Sequence, residues 1–361
     1  MAGLVVTVLA TGACQPTVPS RGPGTSRQVS HRPGGEPLRA GSGHDKHGDC
    51  SWQIFANTPS FSDVQFLSLD HALAIDADCV WQTRDGGAHW QNLACHMGAA
   101  SGAEPLHRIQ MVDASSGWLT AGGHLLRTTD GGHTWRAYEL ASVLVWSIRF
   151  LDAQRGWFAG EELLSGIPDG RGAIYRTVDG GQHWLKAPTG IADSPDLARW
   201  RLRDIWPASA HEIWAIGDEH LLHSRDGGLS WQEAAIAGAD FLALHNITIG
   251  FLGTRIGVIQ RSPPDSYLMT IDGGQSWVMQ PMPGRVPGAI AWTGTGDGGQ
   301  PIIGWVAAGD LYRSSDLGKT WIPVTIEDSP EAPPRHDDLR YFPGVNLLVT
   351  FGNGSLATCR P

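Results

Sequence analysis

One eight-residue phrase recurs six times in this 361-residue sequence and constrains the fold more than any other feature. Each copy reads Ser or Thr, any residue, Asp, any residue, Gly, two variable residues and Trp, as at 128–135. Successive copies are 44 to 49 residues apart, a spacing that indicates a repeat architecture. The six aspartates are Asp85, Asp130, Asp179, Asp226, Asp272 and Asp316.

The chemistry of the phrase predicts the corner of a β-hairpin. A carboxylate at a tight turn accepts hydrogen bonds from nearby backbone N–H groups, and glycine supplies the positive φ that such a turn needs. The Trp then begins the return strand with a large apolar surface. The alternative, six catalytic or metal-binding aspartates, is disfavoured because the turn already uses the carboxylate.

The phrase resembles the Asp-box, or bacterial neuraminidase repeat. In families that carry it, the Asp-box lies at the outer rim of β-propeller blades, away from the active site. The resemblance therefore implies an all-β propeller built from Asp-box hairpins. The abundance of glycine (47 residues) and tryptophan (16 residues) fits many short strands joined by tight turns.

The two ends of the sequence predict seven blades rather than six. After the last box, residues 339–344, 346–352 and 355–359 read as three further strands without a fourth. Residues 51–53 (Ser-Trp-Gln) repeat the start of an outer strand, so an N-terminal strand can complete the last blade and close the ring. Residues 50–361 divided by seven give about 45 residues a blade, which matches the period.

The region before the propeller divides into two segments. Residues 1–14 form an apolar stretch that ends at Cys14 and resemble a bacterial lipoprotein export signal, in which the cysteine carries the lipid. A cleaved signal or a disordered tail is the alternative. Residues 15–49 are rich in Pro, Gly, Ser and Arg, which predicts a disordered linker. We expect an exported protein of the periplasm or cell envelope, held at the membrane through Cys14.

The five cysteines predict two disulfides. Cys79 and Cys95 flank the first Asp-box turn symmetrically, so they should face each other across two antiparallel strands. Cys50 and Cys359 lie on either side of the corner where the ring closes, and a Cys50–Cys359 bridge would latch it. Cys14 is left over, which suits a lipid anchor. Buried free thiols are the alternative.

Several functional classes are disfavoured by composition and motifs. A net charge of −10 argues against nucleic-acid binding, and the sequence has no apolar run long enough for a membrane-spanning helix. It shows no phosphate-binding loop, nucleophile elbow or Cys/His metal cluster. We expect no cofactor, no metal and a monomer.

Two repeats carry a resemblance to a known family. Residues 111–135 read MVDASSGWLTAGGHLLRTTDGGHTW, and the next unit contains FLDAQRGWFAG and AIYRTVDGGQHW. This pattern resembles the photosystem II stability/assembly factor family of chloroplasts and cyanobacteria. The resemblance implies an exported seven-bladed propeller that acts as an assembly chaperone. Such a chaperone would bind a reaction-centre precursor as its protein client, partly through an arginine-rich surface.

Strand position alone predicts which residues belong to the partner surface and which to the core. Candidate partner-surface residues on or beside inner strands are Arg108, Arg149, Arg199, Arg201 and Arg203. The alternative is that these arginines are scattered and separately solvated. The tryptophans at matching positions in second strands are predicted to fill the core between blades: Trp118, Trp157, Trp214 and Trp305.

A secreted glycoside hydrolase, sialidase-like or endoglucanase-like, is the competing hypothesis. Turns between second and third strands open on the face opposite the boxes and carry Glu161, Glu162, Asp218 and Glu219. Paired carboxylates across a funnel are what glycoside hydrolysis needs. Acidic residues are ordinary in exposed turns, however, and the Arg-Ile-Pro tripeptide of sialidases is absent. We therefore favour a non-catalytic binding module, with no confident catalytic residue.

Overall fold

The computed structural model describes residues 7–8, 39–44, 51–97, 105–138, 140, 142–163, 171–188, 201–217, 220–236, 247–260, 266–283, 289–294, 303–308, 310–324, 338–352 and 354–360. These residues form seven antiparallel sheets, each containing four neighbouring strands, arranged as the blades of a β-propeller. The predicted fold is confirmed.

Each of the first six blades has four strands in chain order, from the innermost to the outermost. Blade 1 contains β4 (Asp63–Phe66), β5 (Ala72–Ile75), β6 (Val80–Thr83) and β7 (Gln91–Ala94). Blade 2 contains β8 (Leu106–Met111), β9 (Gly117–Ala121), β10 (His124–Thr128) and β11 (Trp135–Tyr138), and β11 also pairs with β1 (Thr7–Val8). Blade 3 contains β12 (Val143–Phe150), β13 (Gly156–Glu162), β14 (Arg171–Thr177) and β15 (Leu185–Lys186).

The next three blades repeat this order. Blade 4 contains β16 (Leu202–Pro207), β17 (Ile213–Gly217), β18 (Leu221–Ser224) and β19 (Gln232–Glu233). Blade 5 contains β20 (Thr248–Leu252), β21 (Ile256–Gln260), β22 (Ser266–Thr270) and β23 (Val278–Pro281). Blade 6 contains β24 (Ala289–Thr293), β25 (Ile303–Ala308), β26 (Asp310–Ser314) and β27 (Ile322–Pro323).

Blade 7 joins the two ends of the chain. Its strands β28 (Asp338–Phe342), β29 (Leu347–Gly352) and β30 (Ser355–Arg360) come from the C-terminal end. The fourth strand, β3 (Ser51–Ala56), pairs with β30 and closes the ring as predicted. A fifth strand, β2 (Arg39–His44), pairs with β3, so this part of the predicted linker is ordered as a strand. It gains backbone hydrogen bonds along an open sheet edge, which needs little apolar side-chain burial.

All six Asp-boxes share one hydrogen-bond pattern. In the blade 4 box, the Ser224 hydroxyl donates to Asp226 at 2.8 Å, and the Gly228 N–H donates to that hydroxyl at 2.8 Å. The Ser230 N–H donates to the same Asp226 oxygen at 2.8 Å. Gly227 and Gly228 have φ of +76° and +86°, a region that favours glycine. Glycine occupies the second position in all six boxes, whereas the blade 6 box has Leu317 at the first, with φ of +61°. The box carboxylate is therefore consumed by its own turn.

The tryptophans of the second strands lock neighbouring blades together. Trp118 is 1% exposed and packs against the box of blade 3, where a Cβ on Gly181 would lie 2.2 Å from the Trp118 ring. Trp214 packs in the same way against Gly274 of blade 5, at 2.3 Å. Absence of a side chain on the box glycine thus makes room for the indole of the preceding blade. The predicted core role of these tryptophans is confirmed.

Two covalent features concern the cysteines. Cys79 and Cys95 form a disulfide across the end of blade 1, which is the pair expected from the symmetry of the hairpin. Cys359 is also disulfide-bonded, whereas Cys14 and Cys50 lie outside the described residues. Within the described part of the chain, no helix has the length and hydropathy needed to cross a membrane.

Candidate functional site

The positions of the Asp-boxes distinguish the two faces of the ring. In blade 2 the Gly131 N–H of the box donates to the Ser115 carbonyl in the turn after the inner strand, at 2.7 Å. Blades 1, 3, 4 and 5 contain the same contact. The boxes and the ends of the inner strands therefore share one face. We call the opposite one, where the inner strands begin, the mouth face.

The inner strands of three successive blades contain a β-bulge in their first half. The register shifts between Leu106 and Arg108 in blade 2, between Val145 and Ser147 in blade 3, and between Leu202 and Asp204 in blade 4. The extra residues are His107, Trp146 and Arg203. A bulge re-aims a side chain and leaves it outside the regular ladder, and bulges are over-represented next to functional sites.

Two of these bulged residues contact each other across the boundary between blades 3 and 4. The Arg203 guanidinium lies 5.7 Å from the centre of the Trp146 ring, within the range of a cation–π interaction. Nearby, Arg201 Nε lies 3.8 Å from Glu161 Oε1. Arg201 is 38% exposed in its side chain and Glu161 only 7%. The mouth face of blades 3 and 4 thus combines a half-buried indole with two guanidinium groups.

A cluster of charged residues lines the channel behind this face. Arg340 of blade 7 lies 2.9 Å from Asp338 and 3.6 Å from Asp63 of blade 1. Arg149 of blade 3 lies 4.0 Å from Asp204 of blade 4. We call these residues, together with Arg108 of blade 2, the channel cluster.

The surroundings shift the pKa values of Arg149 and Arg340 in opposite directions. Burial lowers the pKa of Arg149 to about 9, and the like charge of Arg108 adds to this effect more than Asp204 offsets it. Burial opposes the charge of Arg340 as well, but there the carboxylates of Asp338 and Asp63 prevail and raise the pKa. Arg149 is therefore the less well compensated of the two.

Polar side chains of the inner strands also join neighbouring blades through backbone groups. Gln65 donates to the Met111 carbonyl and accepts from the Met111 N–H, at 2.9 and 2.5 Å. Gln110 makes the same two bonds with Phe150, at 3.0 and 2.9 Å. Asp63 accepts from the Ile109 N–H at 3.0 Å. These bonds hold the inner strands of blades 1, 2 and 3 side by side.

The structure divides the predicted arginine surface into two groups. Arg201 and Arg203 lie on the mouth face beside Trp146, whereas Arg108 and Arg149 belong to the channel cluster. Arg199 lies outside the described residues. Each of the four described arginines has a charged or aromatic neighbour.

Of the four carboxylates proposed for hydrolysis, the structure describes Glu161 and Glu162, and it does not pair these two. Glu161 and Glu162 are consecutive in β13, so their side chains project to opposite sides of the strand. Glu162 accepts from the Tyr175 hydroxyl at 2.6 Å and from Lys186 at 2.5 Å. Burial opposes the charge of Glu162, but these two donors lower its pKa. Asp218 and Glu219 lie outside the described residues.

Sequence reasoning missed four members of the channel cluster: Asp63, Asp204, Asp338 and Arg340. A signal for three of them was present, because each aspartate immediately precedes a buried aliphatic residue of an inner strand. No group of three His, Cys, Asp or Glu side chains suited to a metal ion occurs in the described part of the chain.

A comparison with protein families decides the relationship. The model described as "Photosynthesis system II assembly factor YCF48" matches residues 48–194 and 196–337, well over half of the chain. The chain belongs to this family. The predicted resemblance is thereby confirmed, and the family description is that of an assembly factor and not of an enzyme.

Individual relatives support the same assignment over shorter stretches. Photosystem II assembly lipoprotein Ycf48 of Synechococcus sp. (strain CC9902) is 29% identical over 142 residues. That alignment spans 38% of this chain and 40% of the relative, so the match covers less than half of the curated protein.

Solved structures agree in fold. A structure described as YCF48 bound to D1 peptide superposes with a TM-score of 0.60 at 18% identity, covering 89% of this chain and 98% of the other. An ancestral GH74 enzyme superposes with a TM-score of 0.59 at 14% identity, covering 83% of this chain and 44% of the enzyme. At these identities both likenesses concern the fold alone.

Proposed function

We propose that this protein is a non-catalytic assembly factor that binds a segment of the photosystem II polypeptide D1 on its mouth face. Two lines of support meet here. The chain belongs to the YCF48 family, and a solved YCF48 structure is described as bound to D1 peptide. The observation that carries the location is the pair of bulged residues Trp146 and Arg203, which are in contact across two blades.

The chemistry of this surface suits a peptide with acidic and apolar side chains. Guanidinium groups such as those of Arg201 and Arg203 form paired, charge-assisted hydrogen bonds with carboxylates. Tryptophan and arginine are also the residue types that dominate binding energy in protein interfaces. Trp146 would supply the apolar contact, and its position on a rigid inner strand lowers the entropy lost on binding.

The compartment and the membrane anchor form a second part of the proposal. The Cys79–Cys95 disulfide supports export, because structural disulfides persist in oxidising compartments. A relative named as a lipoprotein supports a lipid on Cys14. The protein would then be tethered at a membrane surface through the segment that precedes the propeller, with the mouth face available to the client.

The test is equilibrium titration of the full chain with fluorescent synthetic peptides that tile the D1 sequence. We expect one stretch of D1 to bind saturably, and the Trp146→Ala/Arg203→Ala variant to bind it at least about tenfold more weakly, the equivalent of 1.4 kcal/mol. Arg84→Ala is the matched control, because Arg84 is exposed beside the blade 1 box on the opposite face.

Three outcomes would contradict the proposal. Absence of saturable binding by every D1 peptide would remove the client. Equal weakening by Arg84→Ala would remove the mouth face as the location. Glycan hydrolysis by the purified chain that is lost in Glu161→Gln or Glu162→Gln would replace the binding function with catalysis.

The anchor is tested separately by cell fractionation. Wild-type protein is expected in the membrane fraction, and Cys14→Ser protein in the soluble exported fraction. Equal membrane association of both forms would exclude lipidation of Cys14 as the anchor.

A further inference from the structure

The carboxylates of the channel cluster are already committed to other donors. Asp204 Oδ1 accepts from the Ser147 hydroxyl at 2.5 Å and from the Ile205 N–H at 3.0 Å, and Asp204 Oδ2 accepts from the Ile249 N–H at 3.1 Å. Asp63 accepts from the N–H groups of Val64 and Ile109. Little acceptor capacity is left for additional arginines.

Arg340 is the arginine that pairs with the remaining carboxylate oxygens of Asp338 and Asp63. Its Nη2 lies 2.9 Å from Asp338 Oδ2 and 3.6 Å from Asp63 Oδ1. One arginine therefore pairs with two of the three aspartates, and Asp204 is the aspartate with the larger electrostatic effect on Arg149.

Arg108 and Arg149 are the two arginines of the channel cluster whose guanidinium groups have no hydrogen bond to a described carboxylate. Arg149 approaches Asp204 only to 4.0 Å, and its direct hydrogen bond goes to the Ile148 carbonyl at 3.1 Å. Arg108 Nη1 is shielded from solvent without a hydrogen-bond partner, and no carboxylate of the described residues lies within 4.0 Å of this side chain. A buried guanidinium N–H without an acceptor is costly, so a ligand that supplies acceptors is favoured.

The fold holds these two arginines on adjacent strands. The paired hydrogen bonds between Gln110 and Phe150 align β8 with β12. Arg108 lies two residues before Gln110, on the same side of its strand, and Arg149 immediately precedes Phe150. Their proximity is also expressed in the lowered pKa of Arg149, to which burial contributes most and Arg108 next. A negative charge between the two arginines would offset both the cost of burying Arg149 and its repulsion by Arg108.

We propose that the channel of this propeller binds one small oxyanion, such as phosphate, sulfate or a short carboxylate, between Arg108 and Arg149. The oxygens of the anion accept hydrogen bonds from Arg108 Nη1, which has no partner among the described residues, and from the Arg149 guanidinium. The charge of the anion offsets the repulsion between the two guanidinium groups. Because the arginines belong to blades 2 and 3, the bound anion holds these two blades together.

The test uses inorganic phosphate as the probe, with binding followed by calorimetric titration and thermal unfolding followed at constant ionic strength with chloride as the balancing anion. We expect saturable binding of phosphate and a rise in Tm that follows the occupancy. Sulfate and acetate in place of phosphate report whether a tetrahedral or a planar anion is preferred.

Arg108→Gln is the informative variant, because Arg108 makes no ion pair with any described residue, so the substitution removes no such pair from the fold. We expect it to weaken phosphate binding at least about tenfold. The matched control Arg84→Gln removes an exposed arginine beside the blade 1 box and is expected to bind phosphate as the wild type does. A Tm response to phosphate no larger than the response to chloride, with no calorimetric signal, would overturn the proposal. Unchanged affinity in Arg108→Gln would do so as well.

The inference is independent of the D1 client. Arg203→Ala alters the mouth face and is expected to leave the affinity for phosphate unchanged. Failure of the phosphate titration would therefore leave the proposed function standing, and failure of the peptide titration would leave the anion site standing.

Discussion

Asp204 of blade 4 accepts a hydrogen bond from the Ile249 N–H of blade 5 at 3.1 Å. The same carboxylate accepts from the Ser147 hydroxyl of blade 3 at 2.5 Å and lies 4.0 Å from Arg149. One buried side chain, 2% exposed, thus joins three successive blades at the channel.

Replacement of this carboxylate should destabilise the ring. We expect Asp204→Ala to lower the free energy of unfolding by about 3–5 kcal/mol. The Ser147 hydroxyl and two backbone N–H groups lose their buried acceptor, and Arg149 loses a nearby opposite charge. Urea denaturation measures the change. Arg155→Ala is the control, since it breaks an exposed pair with Asp152 and should cost less than about 1 kcal/mol. Similar costs for both variants would contradict the role of Asp204.

The contact between box glycine and tryptophan predicts a position-specific cost of one methyl group. In Gly181→Ala the new Cβ would lie 2.2 Å from the buried Trp118 ring at φ of +79°. We expect a loss of about 3 kcal/mol from overpacking and backbone strain together. Gly253→Ala, at φ of +60° with open space around it, should lose only about 1–2 kcal/mol. Equal losses of unfolding free energy in the two variants, measured by denaturant titration, would show that the Trp118 ring moves aside without cost and would contradict the prediction.

The Asp-boxes predict acid sensitivity. Hydrogen bonds from the Ser230 hydroxyl and N–H lower the pKa of Asp226 from 3.8 to about 2, and Asp272 is lowered to about 2 by Ser276 in the same way. A carboxylate with a depressed pKa stabilises the fold above its unfolded pKa, and this contribution is lost as the pH falls through the folded value. We therefore expect stability to decline between about pH 4 and pH 2.

Urea midpoints measured from pH 5 down to pH 2 test this. In Ser230→Ala the leading donor to Asp226 is missing, so the folded pKa of Asp226 lies closer to its unfolded value. The decline with falling pH should therefore be smaller than in the wild type and end at a higher pH. A wild-type midpoint that stays constant down to pH 2.5 would contradict the account of the boxes.

The repeat was legible in the sequence because the box is local. Its hydroxyl, carboxylate, glycines and tryptophan lie within eight residues, so their spacing alone specifies the turn. The seventh blade followed from the strand patterns at the two ends of the chain, and the repeat period agreed with it. The Cys79–Cys95 pair was also accessible, since antiparallel partners are symmetric about a known turn.

The contacts of the channel cluster could not be predicted from the sequence, because they join residues of different blades. Asp63 and Arg340 are 277 positions apart in the sequence and meet only when the ring closes. An acidic residue at a strand start looks the same whether it faces solvent or a channel. The strand β2 escaped prediction for another reason: it pairs by backbone groups at a sheet edge, and its side chains carry no apolar pattern.

The blade 1 disulfide should contribute measurably to stability. The bridge closes a loop with a sequence separation of 16, for which the chain-entropy model gives about 3 kcal/mol. We expect the Cys79→Ala/Cys95→Ala variant to unfold at a correspondingly lower urea concentration. The variant should remain sensitive to reductant, because Cys359 is also disulfide-bonded. A variant as stable as the oxidised wild type would contradict the prediction.

Hydrogen exchange of the full chain, with and without a saturating D1 peptide, tests the central claim most directly. The account predicts slower amide exchange on binding at the bulged starts of inner strands, within residues 142–147 and 201–206. Exchange in the box turns at 84–89 and 225–230 should stay unchanged. Protection confined to the box turns, or no protection anywhere at saturating peptide, would contradict a client-binding mouth face.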